Sequence, residues 1–349
     1  MAQHNWFRRN WKLVVNIITI TALAVLVYAL RDQLVATLSS LKNVNAWFLI
    51  LLLPIEFLNY HSQTKLYDGL YKIVGNRLNY WFLFKTSLEL NFVNHVFPSG
   101  GVTGFSYYSL RMRSRNNLTG TKATLVHTIK LALLFLSFEI LLVFGLFSLA
   151  IMGKANNLTI LVAAVVSTLL IVSTLFTAYI IGSKSRIDIF FTSITKGLNK
   201  LIQIVRPKHP ETISINKARR VFHEFHEDYQ TIKQQPEKLK KPFLYALLAN
   251  ITEVLAIYVV YLAFGEAVNI GAVILAYAVA NFAGLVSVLP GGVGIYEALM
   301  TAVMATAGVP AAVSLPVIVM YRVLNTLIQL PPGYYFYHKN LVKENNDSD

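Results

Sequence analysis

The chain contains no cysteine. Disulfides, thiolate-held metals and cysteine nucleophiles are thereby excluded. It is also poor in charge. Asp, Glu, Lys and Arg make up 14% of its 349 residues, and only 17 residues are acidic. No nucleophile elbow, P-loop, dinucleotide fingerprint or Ser/His/Asp set occurs. The histidines His61, His95 and His127 are scattered without ligand spacing, so neither a metal nor a cofactor is expected.

What the chain has in abundance is apolar sequence: 55% of its residues are hydrophobic, with a mean hydropathy of +0.52. That is too apolar for a soluble domain of this size and fits a polytopic membrane protein. In lipid every backbone polar group needs a partner within its own segment, which leaves helices or a closed barrel. The apolar runs reach about 18 residues or more without alternating, so they are helices. The net charge of +14 would suit nucleic acid, but the Lys and Arg residues lie at membrane flanks and in one central loop. That distribution is the positive-inside bias with attraction to anionic headgroups, and no nucleic-acid partner is expected.

Spans are predicted at Leu13–Leu30, closed by Arg31-Asp32, and at about Val44–Tyr60. A polar-spotted segment follows at Trp81–Phe97, then spans at Thr124–Ile151, Leu158–Ile181 and Phe243–Phe264. A small-residue-rich segment at Ile270–Leu289, a short piece at Gly294–Ala307 and a last span at Ala311–Phe336 complete the series. Trp6, Trp11, Trp47 and Trp81 fall at segment starts, and Tyr334, Tyr335 and Tyr337 at the last end, as interfacial anchors.

One pattern occurs twice, about 190 positions apart. Asn91-Phe92 is followed by Pro98, Ser99, Gly100, Gly101 and Gly104; Asn281-Phe282 is followed by Pro290, Gly291, Gly292 and Gly294. Each copy sits where a helix should continue and cannot, because Pro removes a donor and clashes with the preceding turn. Paired broken segments point to a transport site built from internal repeats. The first break has basic, cytoplasmic flanks on both sides, so its two arms form a hairpin that enters and leaves from the cytoplasm. Three spans separate it from the second, which then enters from outside. The predicted fold is all-α: six full spans and two opposed re-entrant hairpins in an inverted repeat, with both termini cytoplasmic. Eight ordinary helices with both motifs as loops is the alternative, since Ile270–Leu289 is long enough to span.

The chain divides into a first membrane half (1–182), a basic helical hairpin (183–241), a second membrane half (242–338) and a polar tail (339–349). The hairpin holds thirteen Lys/Arg against six Asp/Glu. Apolar faces are expected at Ile187–Val205 and Ala218–Ile232, separated by Pro207 and Pro210.

A broken helix frees N–H groups whose dipole favours an anion, and a lipid phosphate would suit. Arg111 could pair with the same phosphate. Ionisable groups inside spans cost about 2.5–3.5 kcal/mol each on insertion scales, so they have partners or a role. These are Glu56, Lys130, Glu139, Glu253, Glu297 and Arg322. Glu297 starts a half-helix and Arg322 lies mid-span, so a Glu297–Arg322 pair is expected. The amides of Asn91 and Asn281 are expected to satisfy backbone groups freed at the breaks.

The stretches PSGGVTGFSYYSLRMR (98–113) and LPGGVGIYEALM (289–300), with Tyr321-Arg322, resemble the flippase-like family, also called the lysylphosphatidylglycerol synthase transmembrane-domain family. The similarity runs from about residue 10 to 338. It implies a multi-pass bacterial inner-membrane protein and a lipid substrate. In the multiple peptide resistance factor this domain is associated with moving aminoacylated phosphatidylglycerol between leaflets; archaeal relatives are tied to lipid-linked sugars. The family's functional positions carry over to Pro98, Gly100, Gly101, Gly104, Arg111, Pro290, Gly291, Gly292, Gly294, Glu297 and Arg322. Two departures stand out. The chain ends at Asp349 with a short tail, so the synthase domain and its aminoacyl transfer are not expected. Phe105 stands where relatives often carry Glu. The expectation is a lipid translocase without covalent catalysis, moving an anionic or glycosylated lipid. Envelope-biosynthesis enzymes and a second copy of the chain are candidate partners. The alternatives are a membrane glycosyltransferase or its accessory, acting on lipid-linked sugars, and an envelope scaffold.

Overall fold

The computed structural model describes residues 19, 21–22, 24–26, 28, 30–33, 35–97, 100–113, 118–190, 192–193, 196, 226–286 and 292–346. Among these residues regular structure is helical, with no strand. α1 is helical wherever it is described between 19 and 40 and runs into a 3-10 turn at Leu41–Asn43. It therefore passes the predicted stop at Arg31-Asp32. Both charges lie on an exposed face, 3.4 Å apart, with Arg31 over the Tyr28 ring, and interrupt nothing.

Asn45 caps α2 (Ala46–Ile50) by accepting from the Trp47 N–H, and α3 (Leu52–Ile73) follows directly. The predicted end at Tyr60 falls inside α3. Its polar continuation stays helical, and Ser62 and Thr64 turn their hydroxyls back onto the carbonyls four residues earlier. Leu66, Tyr67, Leu70 and Tyr71 on the same stretch are fully buried.

Asn79 caps α4 (Tyr80–Val96), which meets α5 (Gly100–Arg113) across the first break. Thr119 and Asn156 cap α6 (Gly120–Ile151) and α7 (Asn157–Ile181). Such side-chain acceptors satisfy N–H groups that a helix start leaves unpaired. The described ends of the basic segment are helical, α8 at 184–190, 192–193 and 196 and α9 at 226–233. Ile187 and Ile232 of its predicted faces are buried, while Pro207, Pro210 and the faces between 197 and 225 lie outside the described residues. α10 (Lys240–Ala263), α11 (Ile270–Val286), α12 (Ile295–Thr306) and α13 (Ala311–Asn346) complete the chain. The predicted polar tail is thus the end of α13 up to Asn346.

Among the described residues four helices are long and apolar enough to cross a bilayer: Gly120–Ile151, Asn157–Ile181, Pro236–Ala263 and Ala311–Leu341. α6 and α7 expose Val143, Phe144, Phe147, Leu161, Val172 and Phe176. An exposed apolar belt of this kind is stable against lipid tails and not against water.

α3 and α10 pack extensively on each other. α3 meets α4 and α10 meets α11; α5 meets α6 and α12 meets α13; α4 meets α13 and α11 meets α6. Exchanging α3–α6 for α10–α13 leaves these pairings unchanged. Two of them rest on glycine. A Cβ on Gly271 of α11 would collide with the Gly145 carbonyl of α6, and one on Gly333 of α13 would lie 2.8 Å from the Leu88 carbonyl of α4.

Contacts sort the helix ends into two sets. Asn45 N–H donates to Ala263 O at 2.8 Å, joining the α2 start to the α10 end. Asn269, before α11, bonds Ser148 near the α6 end, and Asn156, before α7, donates to Thr306 O at the α12 end. In the other set, Ser109 near the α5 end donates to Gly120 O at the α6 start, and Lys122 reaches Val74 O after α3. His226 of α9 bonds Ile181 O at the α7 end, and Asn340 of α13 meets Glu89 of α4. This second set carries Lys72, Arg77, Arg111, Arg113, Lys122, Lys184 and Lys339.

Candidate functional site

Between the two halves runs a continuous chain of polar side chains. Lys130 of α6 donates to Gln63 Oε1 at 2.9 Å, Gln63 to Asn59 Oδ1 at 2.7 Å, and Asn59 to Glu253 Oε1 at 3.1 Å. On the far side of Glu253, Tyr321 donates to Oε2 at 3.0 Å, Asn325 to the Tyr321 hydroxyl at 3.2 Å, and Gln329 to Asn325 Oδ1 at 2.6 Å. Gln329 also donates to Glu56 Oε2 at 2.7 Å. Asn91 of α4 donates to Gln329 and, at 2.6 Å, to the Tyr60 hydroxyl. Five helices supply these groups, and Glu56, Asn59, Lys130 and Gln329 are buried.

The chain assigns partners that sequence left open. Lys130 reaches Glu253 through two amides, and Glu139 stays apart on α6, its Oε1 without a hydrogen-bond partner among the described residues. The Asn91 amide nitrogen donates to side chains of α3 and α13, Tyr60 and Gln329, and the backbone of Pro98 and Ser99 lies outside the described residues. Gln329→Leu is expected to lower the unfolding free energy by about 3 kcal/mol, since it strands Glu56, Asn91 and Asn325 together. Thermal unfolding in detergent, wild type against variant, reads this directly.

Beside the chain lies a cavity of ≈ 210 Å³, lined by Asn59, Gln63, Asn94, Asn250, Glu253 and Asn281 with Leu131, Phe135, Phe138 and Tyr277. Asn94 stands just before the first break and Asn281 before the second. This volume suits a headgroup and is far too small for acyl chains.

The expected Glu297–Arg322 pair is present, with Arg322 Nη1 donating to Glu297 Oε1 at 2.7 Å. Glu297 has two further donors: Gly294 N–H to Oε2 at 2.8 Å and Gln33 Nε2 of α1 to Oε1 at 2.9 Å. Arg322 also lies over the Tyr296 ring. The carboxylate therefore occupies the N terminus of the α12 half-helix itself, where the dipole favours a negative charge.

At the first break, Gly100 and Gly101 open α5, and Gly104 packs so closely on Asn94 that a Cβ would overlap the Asn94 amide. Arg111 is held by Glu89, with Nε to Oε2 at 2.7 Å; the Tyr107 hydroxyl donates to the same oxygen and Asn340 to the other. Gly292 and Gly294 have φ of 64° and 86°, where a side chain would be strained. Pro98, Ser99, Pro290 and Gly291 lie outside the described residues.

Sequence reasoning missed the amides. Asn59 and Gln63 are four residues apart, as are Tyr321, Asn325 and Gln329 in succession. That spacing puts each set on one face of a helix, and it was readable as a polar stripe through an apolar span.

The family model described as "Lysylphosphatidylglycerol synthase TM region" matches residues 13–333. The chain is similar to a "UPF0104 membrane protein" of Methanothermobacter thermautotrophicus, 22% identical over 289 residues, covering 82% of this chain and 83% of the relative. Another alignment to a protein of that name and organism is 34% identical over 83 residues, 24% of this chain and 25% of the relative.

Proposed function

The chain belongs to the lysylphosphatidylglycerol synthase TM-region family, and from that premise we propose that it moves an anionic or glycosylated lipid between leaflets. The observation that carries this reading is the central cavity. Its amides come from both halves, and two of them, Asn94 and Asn281, stand towards the ends of α4 and α11 ahead of the breaks, in a protein whose α6 and α7 expose an apolar surface. A lipid headgroup crossing a bilayer needs such polar partners in place of water.

The topology fits. The basic helix ends lie in the cytoplasm by the positive-inside bias. α4 then begins and α5 ends at the cytoplasmic face, and the first hairpin is re-entrant from there. α11 starts and α12 ends at the opposite face, with Asn269 and Thr306, so the second hairpin enters from outside. α1, α2–α3, α6, α7, α10 and α13 are the six full spans. The interchangeable pairings of α3–α6 and α10–α13 are those of an inverted repeat. In this arrangement the headgroup enters the cavity while its acyl chains stay in the membrane. Glu253 then offers an acceptor to it, and the amides of Asn94 and Asn281 line the same space. With Glu297 and Arg111 each held by a protein partner, the glycines of the breaks shape the hairpins and the amides contact the lipid.

Leaflet-resolved lipid flipping in liposomes with purified protein tests the reading, comparing wild type with Asn59→Leu, Asn94→Leu and Asn281→Leu. At least tenfold slower flipping is expected in variants that keep the wild-type melting temperature, since each lost hydrogen bond to a charged headgroup is worth about 1.5–3 kcal/mol. Equal rates in all four proteins would remove the cavity from the transport path. Absence of flipping for every lipid tested would favour the lipid-linked-sugar enzyme.

A further inference from the structure

A second cavity lies away from the central one and shares no lining residue with it. It has a volume of ≈ 310 Å³ and forms where α4 begins and α5 and α13 approach their ends. Lys85, Arg111 and Lys339 converge on it with Asn79 and Asn340, and Trp81, Phe82 and Phe336 form its aromatic wall. We propose that this cavity binds the phosphate of an anionic headgroup.

The argument is one of charge balance. Glu89 is fully buried at the floor, and Arg111, Tyr107 and Asn340 all donate to it. Arg111 and Glu89 therefore cancel. Lys85 and Lys339 remain exposed, and no carboxylate of the described residues lies within ion-pair distance of either. Their ammonium groups stand instead over aromatic rings, Lys85 over Phe336 at 5.4 Å and Lys339 over Tyr335 at 5.5 Å. Among the described residues the cavity thus carries an excess of two positive charges.

Its position selects the ligand. Trp81 is exposed beside the α4 start and Tyr335 in the last third of α13. Exposed Trp and Tyr at helix ends mark the headgroup layer, where the apolar ring meets lipid and the polar edge meets water. Asn79 and Asn340 add neutral polar groups at the same level. A basic recess at that depth between helices is the chemistry of a phosphate-ester site. A free phosphate ion offers the same oxygens, and the two sources separate by experiment.

Native mass spectrometry of the purified chain in detergent measures binding of dioleoyl phosphatidylglycerol, dioleoyl phosphatidylcholine and inorganic phosphate. Each lysine near an anionic headgroup contributes about fivefold in affinity, so Lys85→Gln with Lys339→Gln is expected to weaken phosphatidylglycerol binding roughly 25-fold. Phosphatidylcholine binding should be weaker than phosphatidylglycerol in the wild type and unchanged in the variant. The charge-matched pair Lys42→Gln with Lys154→Gln, at the other set of helix ends, should retain wild-type binding. Displacement of the lipid by millimolar phosphate would support the phosphate site and make the soluble ion a ligand as well; no displacement would assign it to the lipid. Equal binding of the two lipids, no loss in Lys85→Gln/Lys339→Gln, or the same loss in the control pair would each overturn the proposal. Both lysines are exposed, so the variants keep the fold, and flipping by the central cavity is a separate readout.

Discussion

Arg322→Leu is expected to lower the unfolding free energy by about 3–5 kcal/mol, because it leaves the buried Glu297 carboxylate without its cation. The measurement is thermal or denaturant unfolding in detergent, followed by tryptophan emission. The charge-reversed double variant, Glu297→Arg with Arg322→Glu, sharpens the result. If the pair were only an ion pair, reversal would restore most of the loss. Glu297 also accepts from Gly294 N–H and Gln33. Reversal sets a cation against the N terminus of α12, where the dipole opposes it, and gives Gln33 and Gly294 no acceptor. Less than half the lost stability should return. Full recovery would show that the cap contributes nothing.

Gly271→Leu should cost about 3 kcal/mol or more, at the upper end of overpacking. The Cβ would meet the Gly145 carbonyl, which belongs to the backbone and cannot rotate away, so α11 must leave α6. Gly271→Ala already places that Cβ. Gly145→Ala meets Ile274 side-chain atoms at 3.3 Å and the Gly271 Cα at 3.4 Å, so it should be the milder of the two alanine variants. Melting temperatures of the three variants should fall in the order Gly145→Ala, Gly271→Ala, Gly271→Leu. Equal, small changes in all three would mean that α6 and α11 do not cross closely at these glycines.

Hydropathy located the long apolar helices because a bilayer enforces long apolar runs, whereas the Asn and Thr caps at their starts came from the structure. The Glu297–Arg322 pair was legible because a lone charge in an apolar span demands a partner, and few were available. The extension of α3 beyond Tyr60 was not, since hydropathy counts Gln63 and Lys65 as interruptions while a helix merely turns them to a chosen face. Nor was the pairing of Arg111 with Glu89, which stand 22 positions apart on opposite arms of the first hairpin. Which arm faces which is decided by packing, as at Gly104 against Asn94. The amide chain was half legible: its spacing shows polar faces on α3 and α13, but only the packing of α10 between them brings Glu253 to both.

The chain from Lys130 to Asn91 also has a sense of direction. From one end Lys130, Gln63 and Asn59 each donate onward; from the other Asn91, Gln329, Asn325 and Tyr321 do the same, and both runs terminate on Glu253. An amide cannot swap its donor for its acceptor without turning its whole plane, whereas a hydroxyl reorients by moving one hydrogen. Tyr321 is the single swivel in a row of fixed arrows. If α4 draws Asn91 away as the first hairpin moves, Gln329 and Asn325 must turn together or not at all, and the disturbance stops at that hydroxyl. The two halves are thus geared with one slipping tooth, set beside Glu253 at the point where they meet.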